Sequence, residues 1–193
     1  NGAIFRSDYD DTQESILIPV DLSNVATVVR NASSLEMSGL ELEVMYQVTQ
    51  AWNVMATYGY LDSEYADYFA DLNGDTIITD NSALVPRNTP KNTLGLTTSY
   101  TAQVGNGDLK ARISYRHRSD MESDSSNNPL GSLDSISNVN ATISYNINNY
   151  GVSLWGRNIT DQREERWATT GGLTSRGWWN EPATYGVTVS ASF

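Results

Sequence analysis

The chain has 193 residues, a formal charge of −11 at neutral pH, 39% hydrophobic residues, 11 Tyr, 5 Trp and no Cys. That length suffices to bury a core, and so many aromatics set it apart from a disordered chain. The acidic balance argues against a nucleic-acid partner, the missing Cys excludes disulfides and thiolate metal sites, and no apolar run approaches the ~20 residues of a spanning helix.

Period-two alternation runs through almost every segment, which predicts strands. In chain order, residues 3–9 form a weak first strand. Next come Leu40, Leu42, Val44, Tyr46 and Val48 on one parity, then Trp52, Val54, Ala56, Tyr58 and Tyr60. Leu94, Leu96, Thr98 and Tyr100 follow, then Leu109, Ala111, Ile113 and Tyr115. Val139, Ala141, Ile143, Tyr145 and Ile147 precede Tyr150, Val152 and Leu154. The last strand carries Tyr185, Val187, Val189, Ala191 and Phe193 on one side, with Gly186, Thr188, Ser190 and Ser192 on the other. This makes about eight antiparallel strands and an all-β chain.

Glu41, Glu43, Lys110, Arg112, Arg116, Arg118 and Arg157 all fall on the parity opposite the apolar one. Each strand therefore has a charge-free face about nine or ten residues long, enough for a tilted strand to cross a bilayer. A soluble sandwich alternates as well, with its clean face turned to a core.

Connection lengths separate the two. Three residues divide Val48 from Trp52, eight around a Gly-Asn-Gly-Asp turn divide Tyr100 from Leu109, and two divide Ile147 from Tyr150. Long links lie between: Leu61 to Thr93, Arg118 to Asn138, and Asn158 to Thr184. Short turns at one end and long loops at the other is the arrangement of outer-membrane barrels, whereas Greek-key sandwiches spread long links over both ends. Aromatics on the charge-free face also sort to the two ends. Tyr46, Trp52, Tyr100, Tyr145, Tyr150 and Phe193 lie near the short turns, and Tyr58, Tyr60, Tyr115 and Tyr185 near the long loops. Two such belts are expected at the membrane interfaces. The charge-free face is thus expected to meet lipid, and the chain to stop at the periplasmic side.

The stretches SGLELE (38–43), VPRNTPKNTLGL (85–96), GRNITDQ (156–162) and PATYGVTVSASF (182–193) together resemble the C-terminal barrel segment of TonB-dependent outer-membrane receptors. The resemblance covers essentially the whole chain, 1–193. It implies a bacterial outer-membrane location and the last strands of a larger, 22-stranded barrel around an N-terminal plug. It also implies energy delivered through TonB and import of a scarce nutrient, a ferric siderophore first among them. No enzymatic activity and no required cofactor follow from it. The sequence carries neither plug nor TonB box, and no signal peptide at Asn1, which favours an internal or mature fragment. The resemblance implies that Phe193, a terminal aromatic, is read by the barrel-assembly machinery. Alternatives are a self-contained eight-stranded barrel with a structural or adhesive role, whose charged interior has to pair across a narrow core, and a soluble carbohydrate-binding sandwich.

Two loops hold candidate sites. DLNGDTIITDNS (71–82) sets Asp71, Asn73 and Asp75 at alternate positions, with a carbonyl at Ile77 and a hydroxyl at Thr79, a spacing suited to Ca²⁺; the competing reading is a solvated acidic turn. REERWATTGGLTSRGWWNEP (163–182) concentrates Arg163, Arg166, Trp167, Arg176, Trp178 and Trp179. Exposed Arg and Trp are the usual anchors of recognition surfaces, and their cation–π capacity suits aromatic or iron-chelating ligands. Lone His117 stands without a partner that would make it a catalytic or metal site.

Overall fold

The computed structural model describes residues 1–19, 25–171 and 174–193. The chain runs β1 (Gly2–Pro19), β2 (Val25–Gln47), β3 (Trp52–Ala70), β4 (Thr79–Asp80), β5 (Asn92–Val104), β6 (Gly107–Arg118), β7 (Met121–Glu122), β8 (Ser132–Leu133), β9 (Ile136–Ile147), β10 (Tyr150–Arg157), β11 (Glu165–Gly171), β12 (Thr174–Trp179) and β13 (Thr184–Ala191). Eight long strands form one antiparallel sheet in the order β1-β2-β3-β5-β6-β9-β10-β13, with β4 added on β3. Every neighbour on the path is the next long strand in sequence, so the sheet is a plain up-and-down meander with no crossover. It is open, with β1 and β13 at its edges.

Register puts apolar residues opposite apolar residues throughout. Val44 pairs with Ala56, Val54 with Thr98, Thr98 with Ile113, Ile113 with Ala141, and Val152 with Val189. On the other face Glu41 pairs with Gly59, Arg112 with Ser99 and Thr142, and Arg116 with Asn138. A one-residue slip would exchange the two faces along a whole strand.

The apolar face covers no protein core. Val44 is 57% exposed, Ile113 50% and Val189 73%. Among the described residues the buried hydrophobics are Tyr65, Tyr68, Ala70 and Leu133, all beyond the outer ends of the spanning segments. Water would penalise so much contiguous apolar surface, so this face requires an apolar solvent. The sandwich reading is therefore corrected: among the described residues the clean side of the large sheet packs against no second layer.

Several strand limits differ from the sequence reading, and the reasons are physical. The Gly-Asn-Gly-Asp connection is tighter than eight residues, because β5 continues to Val104 and β6 starts at Gly107; Gly105 takes the positive φ of 60° that this two-residue turn needs. The first strand is far longer than residues 3–9 and pairs with β2 as far as Pro19. β3 passes Leu61 and ends at Ala70. Its extension carries Asp62 and Glu64 on the apolar parity, opposite Ser38 and Glu36. If the apolar face meets lipid, this is where the strands leave it, and the rule against charge no longer applies. β13 stops at Ala191, which leaves Phe193 outside the ladder and fully exposed.

Aromatic rings tile glycines across strand pairs. A Cβ on Gly186 would stand 2.2 Å from the Trp155 ring, and one on Gly39 2.6 Å from Phe5, their direct cross-strand partners. The large ring occupies space that only glycine leaves free. At the short-turn belt the Trp52 indole N–H donates to Thr98 Oγ1 at 2.6 Å, and the Tyr145 hydroxyl donates to the Val104 carbonyl at 2.8 Å. Both polar handles are thus satisfied beside apolar surface.

Candidate functional site

The polar face changes character from strand to strand. β2 offers Glu41 and Glu43, while β3 and β5 offer Thr57, Gly59, Thr93, Gly95 and Thr97. β6 offers Lys110, Arg112, Arg116 and Arg118 at every second position except Ser114, because alternation sends each of them to the same side. At the long-loop end these strands enclose a recess of about 630 Å³ lined by Arg116, Arg118, Arg157, Asn138, Asn140 and Thr93, among others. Small residues on β5 form its floor and long cations its wall.

Each arginine is held differently. Arg157 lies over the Trp155 ring at 5.4 Å, which directs its guanidinium along the polar face. The Arg118 fork donates through Nη1 to the Ser119 carbonyl at 2.8 Å and through Nη2 to the Asp134 carbonyl at 3.1 Å. Arg116 is exposed into the recess. Glu164, from the segment before β11, faces Arg118. Burial pushes its carboxyl above the usual range, Arg118 pulls it down, Asp134 raises it and His117 lowers it, for a net rise. Its Oε2 is buried without a hydrogen-bond partner.

Asn158 anchors the rim of the recess, and sequence reasoning passed it over as a site. Buried, with φ of 47°, it donates through Nδ2 to the Gln162 carbonyl at 2.9 Å and to the Glu181 carbonyl at 2.8 Å. Its Oδ1 accepts from the Gln162 amide at 3.2 Å, and its own amide donates to Asn140 Oδ1 at 2.9 Å. The available signal was an Asn directly after a strand, a residue type that tolerates the left-handed conformation.

Of the loop candidates, Trp178 and Trp179 on β12 are 72% and 62% exposed. Arg163 pairs with Asp161 at 3.7 Å in an exposed position. The side chains of Arg166, Trp167 and Arg176 lie outside the described ones. β11 and β12 form a separate hairpin, and the Glu164–Asn180 backbone bond at its base, 3.0 Å, sets it beside the recess. His117 lies on the apolar parity yet also borders the recess, and its Nδ1 meets Ser137 Oγ at 2.9 Å.

In the 71–79 loop the carboxylates turn inward. Asp71 accepts the amides of Gly74 at 2.7 Å and Thr76 at 2.8 Å, Asn73 Oδ1 accepts the Asp75 amide at 3.1 Å, and Asp75 accepts the Ile77 amide at 2.8 Å. Burial alone would raise the Asp71 carboxyl, but these amides outweigh it and hold it below the usual range. Thr79 donates to the Ala70 carbonyl at 3.2 Å.

Residues 1–159 match the TonB dependent receptor-like β-barrel family. The chain belongs to this family. It is an outer-membrane β-barrel chain of a Gram-negative bacterium. Its fold is similar to the ferric yersiniabactin uptake receptor FyuA from Yersinia pestis, with TM-score 0.73 and 15% identity over 100% of this chain and 27% of that one. It is similar also to the siderophore receptor PiuA from Acinetobacter baumannii, with TM-score 0.68 and 25% identity over 97% of this chain and 25% of that one. The ferric preacinetobactin receptor BauA from the same organism gives 0.67 and 19% over 100% and 27%. The chain spans about a quarter of the length of these receptors. In the family frame the polar face is lumenal, and the recess lies on the barrel wall near its outer mouth.

Proposed function

We propose that residues 1–193 are the C-terminal part of a larger, 22-stranded barrel in a receptor that imports an anionic iron chelate, most simply a ferric siderophore. TonB would energise it through a plug supplied by the same receptor. The observation that carries this reading is the arginine-lined recess on the lumenal wall. Three guanidiniums converge where a ligand entering from outside first meets the wall, and Arg is well suited to carboxylate and phenolate oxygens. Support for the larger barrel comes from the open sheet, whose edges β1 and β13 still have free ladder groups, and from the share of the related receptors that the chain spans. A self-contained eight-stranded barrel would need those edges to pair with each other. Phe193, free of the ladder, is accessible to the barrel-assembly machinery. Ca²⁺ at Asp71, Asn73, Asp75, Ile77 and Thr79 would have to displace backbone amides already bonded to the three acidic and amide side chains.

The test uses the complete receptor in an iron-starved host. The double variant Arg116→Ala/Arg157→Ala is expected to weaken ferric-chelate binding by about tenfold or more, as expected when charge-assisted bonds are lost. Loss of TonB should abolish accumulation while surface binding persists. Uptake that survives deletion of the receptor, or binding indifferent to both arginines, would overturn the reading.

A further inference from the structure

The loops 71–91 and 119–135, which join β3 to β5 and β6 to β9, are bonded to each other as well as to their own strands. The Val85 amide donates to Asn127 Oδ1 at 2.7 Å, Asn127 Nδ2 returns a bond to the Val85 carbonyl at 2.9 Å, and the Asn88 amide donates to the Glu122 carbonyl at 2.8 Å.

At the far side of this pair sits Glu14 of β1, 6% exposed. Its carboxylate accepts from the Tyr65 hydroxyl at 3.2 Å, from the Ser125 hydroxyl, and from Arg87 Nε at 3.3 Å. Arg87 belongs to one loop, Ser125 to the other, and Tyr65 to β3. A single buried charge therefore holds four segments.

At the near side the Arg118 fork binds Ser119 and Asp134 through their carbonyls, at both feet of the second loop, while the same side chain lines the recess. The far anchor is incompletely satisfied. Tyr68, 0% exposed and tilted against Tyr65 with ring centroids 4.7 Å apart, has a hydroxyl that makes no well-formed hydrogen bond, with the Ser125 side chain close enough only to pull its pKa down. Burial first and Glu14 second push that hydroxyl up to about 12, so it stays protonated. A buried donor without a well-formed bond leaves a desolvation cost uncompensated, which suits a contact made to open rather than a permanent core.

We propose that 71–91 and 119–135 form one lid that moves as a unit, pinned at Glu14 and tied through Arg118 to the arginine-lined recess. Arg118 is a positioning residue in this arrangement, because the guanidinium that faces the recess also fixes where the lid begins and ends. The role assigned to the recess rests on the transport reading; the unity of the lid does not.

The test is amide hydrogen exchange on the complete receptor in membranes, without ligand, on wild type, Glu14→Gln, Glu14→Asp and Arg118→Ala. Unfolded material is excluded by the heat-modifiable gel migration of a closed barrel. Glu14→Gln keeps the shape but removes the charge that answers Arg87. It is expected to raise opening of both loops together by about tenfold, since a charged acceptor that binds Arg87, Tyr65 and Ser125 becomes a neutral one, with the spanning strands unchanged. Glu14→Asp should restore part of the protection in both. Arg118→Ala should loosen 119–135 and, through Asn127 and Glu122, 71–91 as well. Loss of protection in one loop alone, in either the Glu14→Gln or the Arg118→Ala variant, would overturn the proposal. With no ligand in the comparison, this outcome and the outcome of the transport test are independent.

Discussion

The spanning band and the outer end of this molecule obey opposite rules. Between the belts marked by Trp52 and Tyr60 the strands bury no large apolar side chain, and Val44, Leu96, Ile113 and Val187 all point outward. Beyond the Tyr60 level the same strands carry Asp8, Glu36, Asp62 and Glu64 on that outward parity and bury Tyr65 on the other, where the register shift between Ser34 and Leu35 brings Tyr68 beside it. One continuous ribbon thus changes which side is apolar, the change expected where a strand passes from hydrocarbon to water.

This contrast can be broken at either end. Tyr68→Ala removes the fully buried ring of the outer end and is expected to cost about 3 kcal/mol there. Hydrogen exchange should register the loss in β3 beyond Leu61 and in the two loops, with the band intact. Val44→Arg, midway between the belts opposite Ala56, should cost about 2–4 kcal/mol of membrane insertion. Urea titration of folding into vesicles measures it, and an unchanged midpoint would remove Val44 from the lipid face. Gly186→Val should cost about 1–3 kcal/mol through overpacking against Trp155, read in the same titration.

Acidification sharpens the comparison. Glu164 has its folded pKa raised, so protonation favours the folded outer end. The stability it contributes is fully present below the ordinary carboxylate value and is lost as pH rises through the raised one. Exchange protection of the 158–165 segment should therefore increase on lowering the pH across that window, and Glu164→Gln should flatten the response. Smallest of all, Lys91→Ala removes an exposed 3.9 Å pair with Asp62 and a 5.7 Å contact over the Tyr60 ring, and a change in folding of at most about 1 kcal/mol is expected.

What the sequence displayed follows from the same contrast. Parity within the band was legible because hydrocarbon forbids charge on one side of every strand, so Glu41, Lys110, Arg116 and Arg157 marked the lumen without any knowledge of partners. Strand ends were misplaced where that prohibition lapses: Asp62 and Glu64 looked like the start of a loop, yet β3 runs on to Ala70. The recess was half legible, since its arginines were assigned to one face but nothing local indicated that Asn158 would tie its rim. The Glu14 cluster was invisible, because Ser125 lies 111 residues from Glu14 and no short-range pattern joins them. Exposed Trp178 and Trp179 suggested recognition by composition, whereas geometry assigns convergence to the arginines of β6 and β10.

The central claim concerns what the uncharged side of the sheet touches. Single cysteines at each position from 53 to 59 of β3, in a complete receptor with any other cysteine replaced, can carry a fluorophore after reconstitution with lipids bearing a quencher on their acyl chains; these 193 residues supply none of their own. The account predicts strong quenching at Val54, Ala56 and Tyr58 and little at Asn53, Met55, Thr57 and Gly59. Quenching without alternation, or stronger at the odd positions, would contradict it.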